Sequence, residues 1–163
     1  MTKKVILPII ATALFIAAVG ILMQKTSVLA PTPKPAESTS FVTVNGKEIT
    51  VDTARTSEER EKGLSGIISL DKDSGMLFVF TDNSKTPVFW MKGMLIPLDI
   101  IWIKGGKIVR IDKNVPVPSA DTPNNKIKTY SAGTPIDYVL EVNAGFSDSN
   151  SIKVGNSVTI GGI

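Results

Sequence analysis

The sequence predicts a mainly β domain, a small closed or partly open β-barrel with one or two short helices, preceded by an N-terminal transmembrane helix. Three observations lead there. Around eight apolar runs of strand length alternate with turn residues, an uncharged apolar stretch lies near the N-terminus, and a Pro-, Ser- and Thr-rich bridge joins the two. With 163 residues the chain holds one domain's worth of sequence, and its folding unit is expected over 41–163.

The N-terminal element comes first. After residues 1–4, which carry Lys3 and Lys4, the stretch 5–24 is free of charge and rich in Ile, Leu, Ala, Val and Phe. About 20 such residues in a helix cross a hydrocarbon core of about 30 Å. Pro8 falls near the start, where a missing N–H costs least. Lys3 and Lys4 place the amino end in the cytoplasm, so everything after Lys25 is expected outside it, on a single-pass membrane protein. The competing reading is a cleaved signal peptide and a secreted domain. Its apolar region would ordinarily run only ~7–15 residues. Val28-Leu29-Ala30 is a weak cleavage site, with bulky Leu29 inside it and Pro31 directly after. Residues 25–40 read as a solvated linker of polyproline character that holds the domain off the bilayer.

The strands follow in order. Phe41 to Val44, Asn45-Gly46 and Lys47 to Val51 read as a hairpin on a type I′ turn. Thr56-Ser57-Glu58-Glu59 fits a capping box that opens a helix of two turns at most, stopped by Gly63. Met76 to Phe80, Val88 to Met91 and Leu98 to Ile103 are apolar runs of strand length, and Lys107 to Ile111 pairs back on the last of them through Gly105-Gly106. Lys126 to Tyr130, Tyr138 to Val142 and Ser157 to Ile160 complete the set. Pro116, Pro118, Pro123 and Pro135 make the stretch between Asn114 and Pro135 a surface loop.

Composition excludes several chemistries. The chain has no histidine and no cysteine, which removes a Ser-His-Asp triad, a Cys-His pair, imidazole metal sites, a disulfide framework and a lipoprotein anchor. The net charge of +3 belongs to the N-terminal segment, because basic and acidic residues balance after residue 40. A nucleic-acid partner is not expected of a domain with balanced charge. Asp71-Lys72-Asp73-Ser74-Gly75 has too few ligands for a calcium loop and reads as a turn. No phosphate loop, dinucleotide fingerprint or metal cluster is present, so no cofactor is expected.

Several motifs carry a family resemblance. Glu59-Arg60-Glu61-Lys62-Gly63-Leu64, Asp73 to Phe80, Phe89-Trp90-Met91-Lys92 and Ile96-Pro97-Leu98-Asp99-Ile100-Ile101 resemble domain-of-unknown-function family 192. Tyr138 to Gly145 and Ile152-Lys153-Val154-Gly155 fit the same family in order, so the likeness spans roughly Thr53 to Ile160. The resemblance implies a small β-rich domain, often exported or membrane-tethered, and no established activity. The chain departs from the family pattern at Gly93 and Met94, where members usually carry Asn and Thr, and at Asn156, where they tend to carry Asp.

The candidate site residues are Arg60, Trp90, Lys92, Asp99, Glu141 and Asn143. On a strand, Phe89 and Met91 share one face and Trp90 and Lys92 the other. The apolar pair should face the core, which leaves an indole beside an ammonium, a platform for a sugar ring or an anion. The competing reading has Trp90 packed in the core. Asp99 and Glu141 each sit in an apolar run, as turn-formers, as ion-pair partners of Arg60 or Lys92, or as tuned acids. Asn143 enters through the family motif. Two functions from different classes follow. One is a tethered, monomeric module that binds a small molecule, a glycan or an envelope partner. The other is a histidine-free hydrolase of envelope material, in which Asp99 and Glu141 would share one cleft.

Overall fold

The computed structural model of the chain describes residues 39–81 and 86–163. The segment expected to cross the membrane, 5–24, lies outside the described residues, and so does most of the linker. Among the described residues no helix is long and apolar enough to cross a membrane. The unit Ser38–Ile163 is compact. Ser40, directly before the first strand, is bonded to the folded unit: its carbonyl accepts from Val51 N–H and its hydroxyl donates to Gly162 O.

The strands are β1 (Phe41–Val44), β2 (Lys47–Ala54), β3 (Ser74–Val79), β4 (Phe89–Trp90), β5 (Leu98–Lys104), β6 (Lys107–Val115), β7 (Thr129–Tyr130), β8 (Tyr138–Asn143) and β9 (Val158–Gly161). Two short helices, α1 (Ser57–Lys62) and α2 (Phe146–Ser149), complete the list, with a 3₁₀ turn at Asn124–Lys126. Seven strands form one sheet in the order β6-β5-β8-β3-β2-β1-β9, while β4 and β7 make a separate ribbon. All pairs are antiparallel except β2 and β3, whose parallel pairing needs the crossover that contains α1.

The sheet is a strongly curled half-barrel. Register shifts in the β5–β6 pairing, between Leu98 and Ile100 and between Trp102 and Ile103, add local twist. The curl brings the β5–β6 turn against the segment before β9: Val158 N–H donates to Gly106 O and Ile108 N–H to Asn156 O, around a bridge from Lys107 to Ser157.

Alternation then sorts the side chains. Leu77, Ile101, Ile103, Leu140 and Val142 point into the curl with Val42, Val44, Ile49 and Val51. Phe78, Leu98, Ile100, Trp102 and Val139 point out of it, yet they are buried too, under Leu64, Met91, Met94, Tyr130 and Ile136 from the connecting segments. That is why Leu98-Asp99-Ile100-Ile101-Trp102-Ile103 is continuous rather than alternating: every residue of it is buried.

Several boundaries differ from the sequence reading. Of Val88 to Met91 only Phe89–Trp90 is strand, and of Lys126 to Tyr130 only Thr129–Tyr130, because each of these segments pairs with the other alone. β6 runs on to Val115, past the expected end at Ile111. The second helix, α2, had no local signal.

The hairpin turn at Asn45-Gly46 has φ of 51° and 76°, as a type I′ turn requires. The Asn45 amide also donates to the carbonyls of Asn150 and Ser151. Asn45→Val puts a β-branched residue into the left-handed region, which costs about 1–2 kcal/mol, and it removes those bonds. We expect a loss of about 2 kcal/mol in urea unfolding and a smaller loss for Asn45→Gly, which keeps the backbone but not the amide. Equal losses for the two variants would show that the turn conformation contributes nothing.

Candidate functional site

A cleft of about 340 Å³ opens on the outer face of the sheet. It is bounded by the end of α1 with Arg60, Glu61 and Lys62, by Phe78 and Phe80 of β3 and just beyond, by Val88, Phe89 and Trp90 along β4, by Lys92, and by Glu141 of β8. The sequence had singled out four of these, Arg60, Trp90, Lys92 and Glu141, and the fold brings them together.

Each wall has a local cause. The capping box holds α1: Thr56 Oγ accepts from Glu59 N–H at 3.1 Å, and Glu59 Oε2 accepts from Thr56 N–H at 2.8 Å and Arg55 N–H at 2.7 Å. Those backbone donors hold the Glu59 carboxyl below its usual range. Gly63 ends the helix with φ 47° and ψ −137°, outside the left-handed helical cap that its position suggests. The connections after α1 and β4 are tied to each other, Gly66 N–H donating to Gly93 O and Ser65 Oγ to Lys92 O. Gly93, one of the departures from the family pattern, has φ of 71°, and a Cβ there would come within 2.3 Å of Ser65 Oγ.

The ribbon β4 behaves as its period predicts. Phe89 meets Phe78 and Trp102 edge-on, at 4.9 and 5.4 Å between centroids, and Met91 is buried. Trp90 is consequently turned out, 44 % exposed, with the Lys92 ammonium 5.1 Å from the centre of its ring. The core-packed reading of Trp90 is wrong. Arg60 makes the matching arrangement on the other wall: its guanidinium sits 5.3 Å over Phe80 and donates to the carbonyls of Arg55 and Val79. Among the described residues neither Arg60 nor Lys92 has a carboxylate partner.

The two carboxylates separate. Ile100 lies opposite Glu141 and Asp99 opposite Val142 in the β5–β8 ladder, so Asp99 points into the curl and Glu141 out of it. They face no common cleft. Asp99 is fully buried and accepts three backbone N–H groups, from Asn114 at 2.8 Å, Gly145 at 3.1 Å and Ser147 at 2.8 Å. Its work is to hold the end of β6 and the start of α2. Its partners are backbone amides, where the sequence reading offered a cationic side chain. Asn143 is equally structural, its amide donating to Leu70 O and Asp71 O. Asp73 pairs with Lys47 at 2.7 Å, and no cluster of acids able to hold a metal occurs among the described residues.

Glu141 is different. It is 5 % exposed, between Met76 and Ile100 on the neighbouring strands, and burial pushes its carboxyl up to about 8. Among the described residues it has neither a hydrogen-bond nor an ion-pair partner through its side chain. At neutral pH the cleft therefore contains a protonated carboxyl, both a donor and an acceptor. Sequence reasoning missed Glu61, Lys62, Phe78 and Phe80. Period two in Met76 to Phe80 does place both phenylalanines on the Glu141 side, but nothing local shows that α1 comes down over them.

A raised carboxyl value fixes the sign of a pH effect. The unfolded chain ionises Glu141 near 4.5 and the folded one near 8, so its contribution to stability is complete below 4.5 and is lost as pH rises to 8. At 1.36 kcal/mol per pH unit the loss is on the order of 5 kcal/mol. Glu141→Gln should leave urea stability nearly unchanged at pH 4.5 and raise it by a few kcal/mol at pH 8.5. A pH-independent difference between the two proteins would place the titration elsewhere.

Comparison with known proteins follows this geometry. No curated protein matches the chain significantly. A crystal structure of a candidate transcription regulator from Sinorhizobium meliloti 1021 is similar with a TM-score of 0.67 and 27 % identity, covering 80 % of this chain and 99 % of that one. A protein of unknown function from Novosphingobium aromaticivorans DSM 12444 is similar with a TM-score of 0.64 and 29 % identity, covering 81 % and 94 %. The family model of domain-of-unknown-function 192, described as "Uncharacterized ACR", matches residues 40–160. With nearly the whole folded unit inside that match, the chain belongs to domain-of-unknown-function family 192.

Proposed function

We propose that the chain is a membrane-tethered, extracytoplasmic binding module, monomeric in its folded unit, whose cleft takes a small molecule or a piece of glycan from the cell envelope. The observation that carries this reading is the pair of cation–aromatic walls. Arg60 lies over Phe80 and Lys92 over Trp90, around a protonated Glu141, in a space at the lower end of the ~300–1,000 Å³ of small-molecule sites. A half-exposed indole, and charged groups that have no carboxylate partner among the described residues, stabilise a fold little, whereas they suit a ligand with a flat face and polar groups. The tether rests on the sequence, on the apolar stretch 5–24 and the proline-rich segment after it.

A hydrolase using Asp99 and Glu141 has no comparable support, since the two carboxyls lie on opposite faces of the sheet. The regulator label of the Sinorhizobium protein is not carried over, because the basic and acidic residues of this folded unit balance.

The test is a thermal-shift screen over saccharides, peptidoglycan fragments, nucleotides and metals, followed by Trp90→Ala. A ligand at a hundred times its Kd stabilises the fold by ~2.7 kcal/mol. Trp90→Ala should cost well under the ~3–5 kcal/mol of an emptied core aromatic site and abolish the ligand's shift. A core-sized loss, or an undiminished shift, would sink the platform.

Tethering has its own check. The full chain should sediment with membranes, and removal of residues 1–37 should release a soluble, monomeric β protein. A soluble full chain, or aggregation of the shortened one, would overturn the anchor.

A further inference from the structure

The cleft also indicates the chemistry of what it holds, on the reading that it is a ligand site. We propose that the ligand is a small organic acid built on a flat ring, and that the proton on Glu141 gates its binding. The Glu141 carboxyl donates to the ligand's carboxylate, Arg60 and Lys92 balance its charge, and the Trp90 indole receives the ring. Among the described residues three cations, Arg60, Lys62 and Lys92, line the cleft against one exposed carboxylate, Glu61, so an anion is favoured over its neutral counterpart. Leu64, Phe78, Phe89 and Met94 give the cleft an apolar lining, which suits a ring.

Glu141 selects in the same direction. A buried carboxyl that holds its proton makes an O–H···O⁻ bond to a carboxylate, the short and strong kind of hydrogen bond. Once ionised it would set two carboxylates face to face. The strands on either side oppose it with Met76 and Ile100, neither of which titrates. Among the described residues the charged groups around it in the cleft are Arg60, Glu61 and Lys62 of α1 and Lys92 beyond β4. Burial holds the titration of Glu141 near 8. Binding is therefore expected to fall with rising pH, the opposite of a site that only gains a carboxylate ligand by ionising it.

The experiment uses the full chain in a detergent with an uncharged headgroup. Of its two tryptophans Trp102 is fully buried and Trp90 is half-exposed, so fluorescence quenching by an added ligand reports on the cleft. Glucuronate and benzoate are titrated beside glucose and benzyl alcohol, which separates an acidic sugar from an aromatic acid. At pH 6 one of the two acids should bind at least about tenfold more tightly than its neutral partner. At pH 9 a group titrating near 8 keeps about a tenth of its protons, so the Kd should rise about tenfold. Glu141→Gln should bind the acid equally at both pH values. Lys92→Gln, a change at the surface, should lose the preference for the acid at both and serves if the first variant does not fold. Equal affinity for acid and neutral partner, or a pH effect that survives Glu141→Gln, overturns this inference and leaves the binding module standing. Quenching by none of the four overturns both.

Discussion

Burying both faces of β3, β8 and β5 is the constraint on which the rest of the structure depends. A curled antiparallel sheet ordinarily covers its concave side with its own strands and leaves the convex side to water. Here Phe78, Leu98, Ile100, Trp102 and Val139 make the convex side as apolar as the concave one, at about 1.5–3 kcal/mol for each large side chain taken out of water. Among the described residues no helix layer supplies the cover. The connections after α1, around β4 and around β7 do so instead, and each contributes a few apolar side chains, such as Leu64, Met91, Met94 and Tyr130. The cleft opens where these irregular connections come together. Its walls are the end of α1, loops and a two-residue strand, while its floor is the sheet.

That division explains the environment of Glu141. On β8 it has a strand on either side and apolar neighbours across both ladders, so its carboxyl cannot relax toward water by moving the backbone. The surrounding structure is stable enough to hold a titrating group at a position where Val or Leu would pack without cost. Such a residue is more easily understood through what it meets in the cleft than through what it adds to the fold.

What could be read from the sequence divides along the same line. The hairpin at Asn45-Gly46 and the capping box at Thr56 were legible because their partners lie within four residues. The orientation of Trp90 and Lys92 was legible because period two needs only local chain direction and an apolar pair, Phe89 and Met91, to fix the inner face. The length of β4 was not, since it is set by Thr129 and Tyr130, forty residues further along. Nor was the fate of the two carboxylates. Asp99 and Glu141 look alike in sequence, each a single acid in an apolar run. The register of β5 against β8 sends one inward to three backbone amides and the other outward into the cleft. A one-residue slip of either strand would have put both on the same face.

The half-barrel stops short of closure, and that has a bearing on self-association. Closed barrels have no edges, whereas this sheet ends in β6 on one side and β9 on the other, bonded to each other where Gly106 to Ile108 meet Gly155 to Val158. Beyond that junction β6 is distorted by bulges against β5, its exposed Arg110 and Lys113 are paired with Asp112 and Asp148, and β9 is only four residues long. A twisted or short strand gives a poor template for pairing. Where local concentration is high and copies meet repeatedly, these edges keep neighbouring copies from zipping into a continuous sheet.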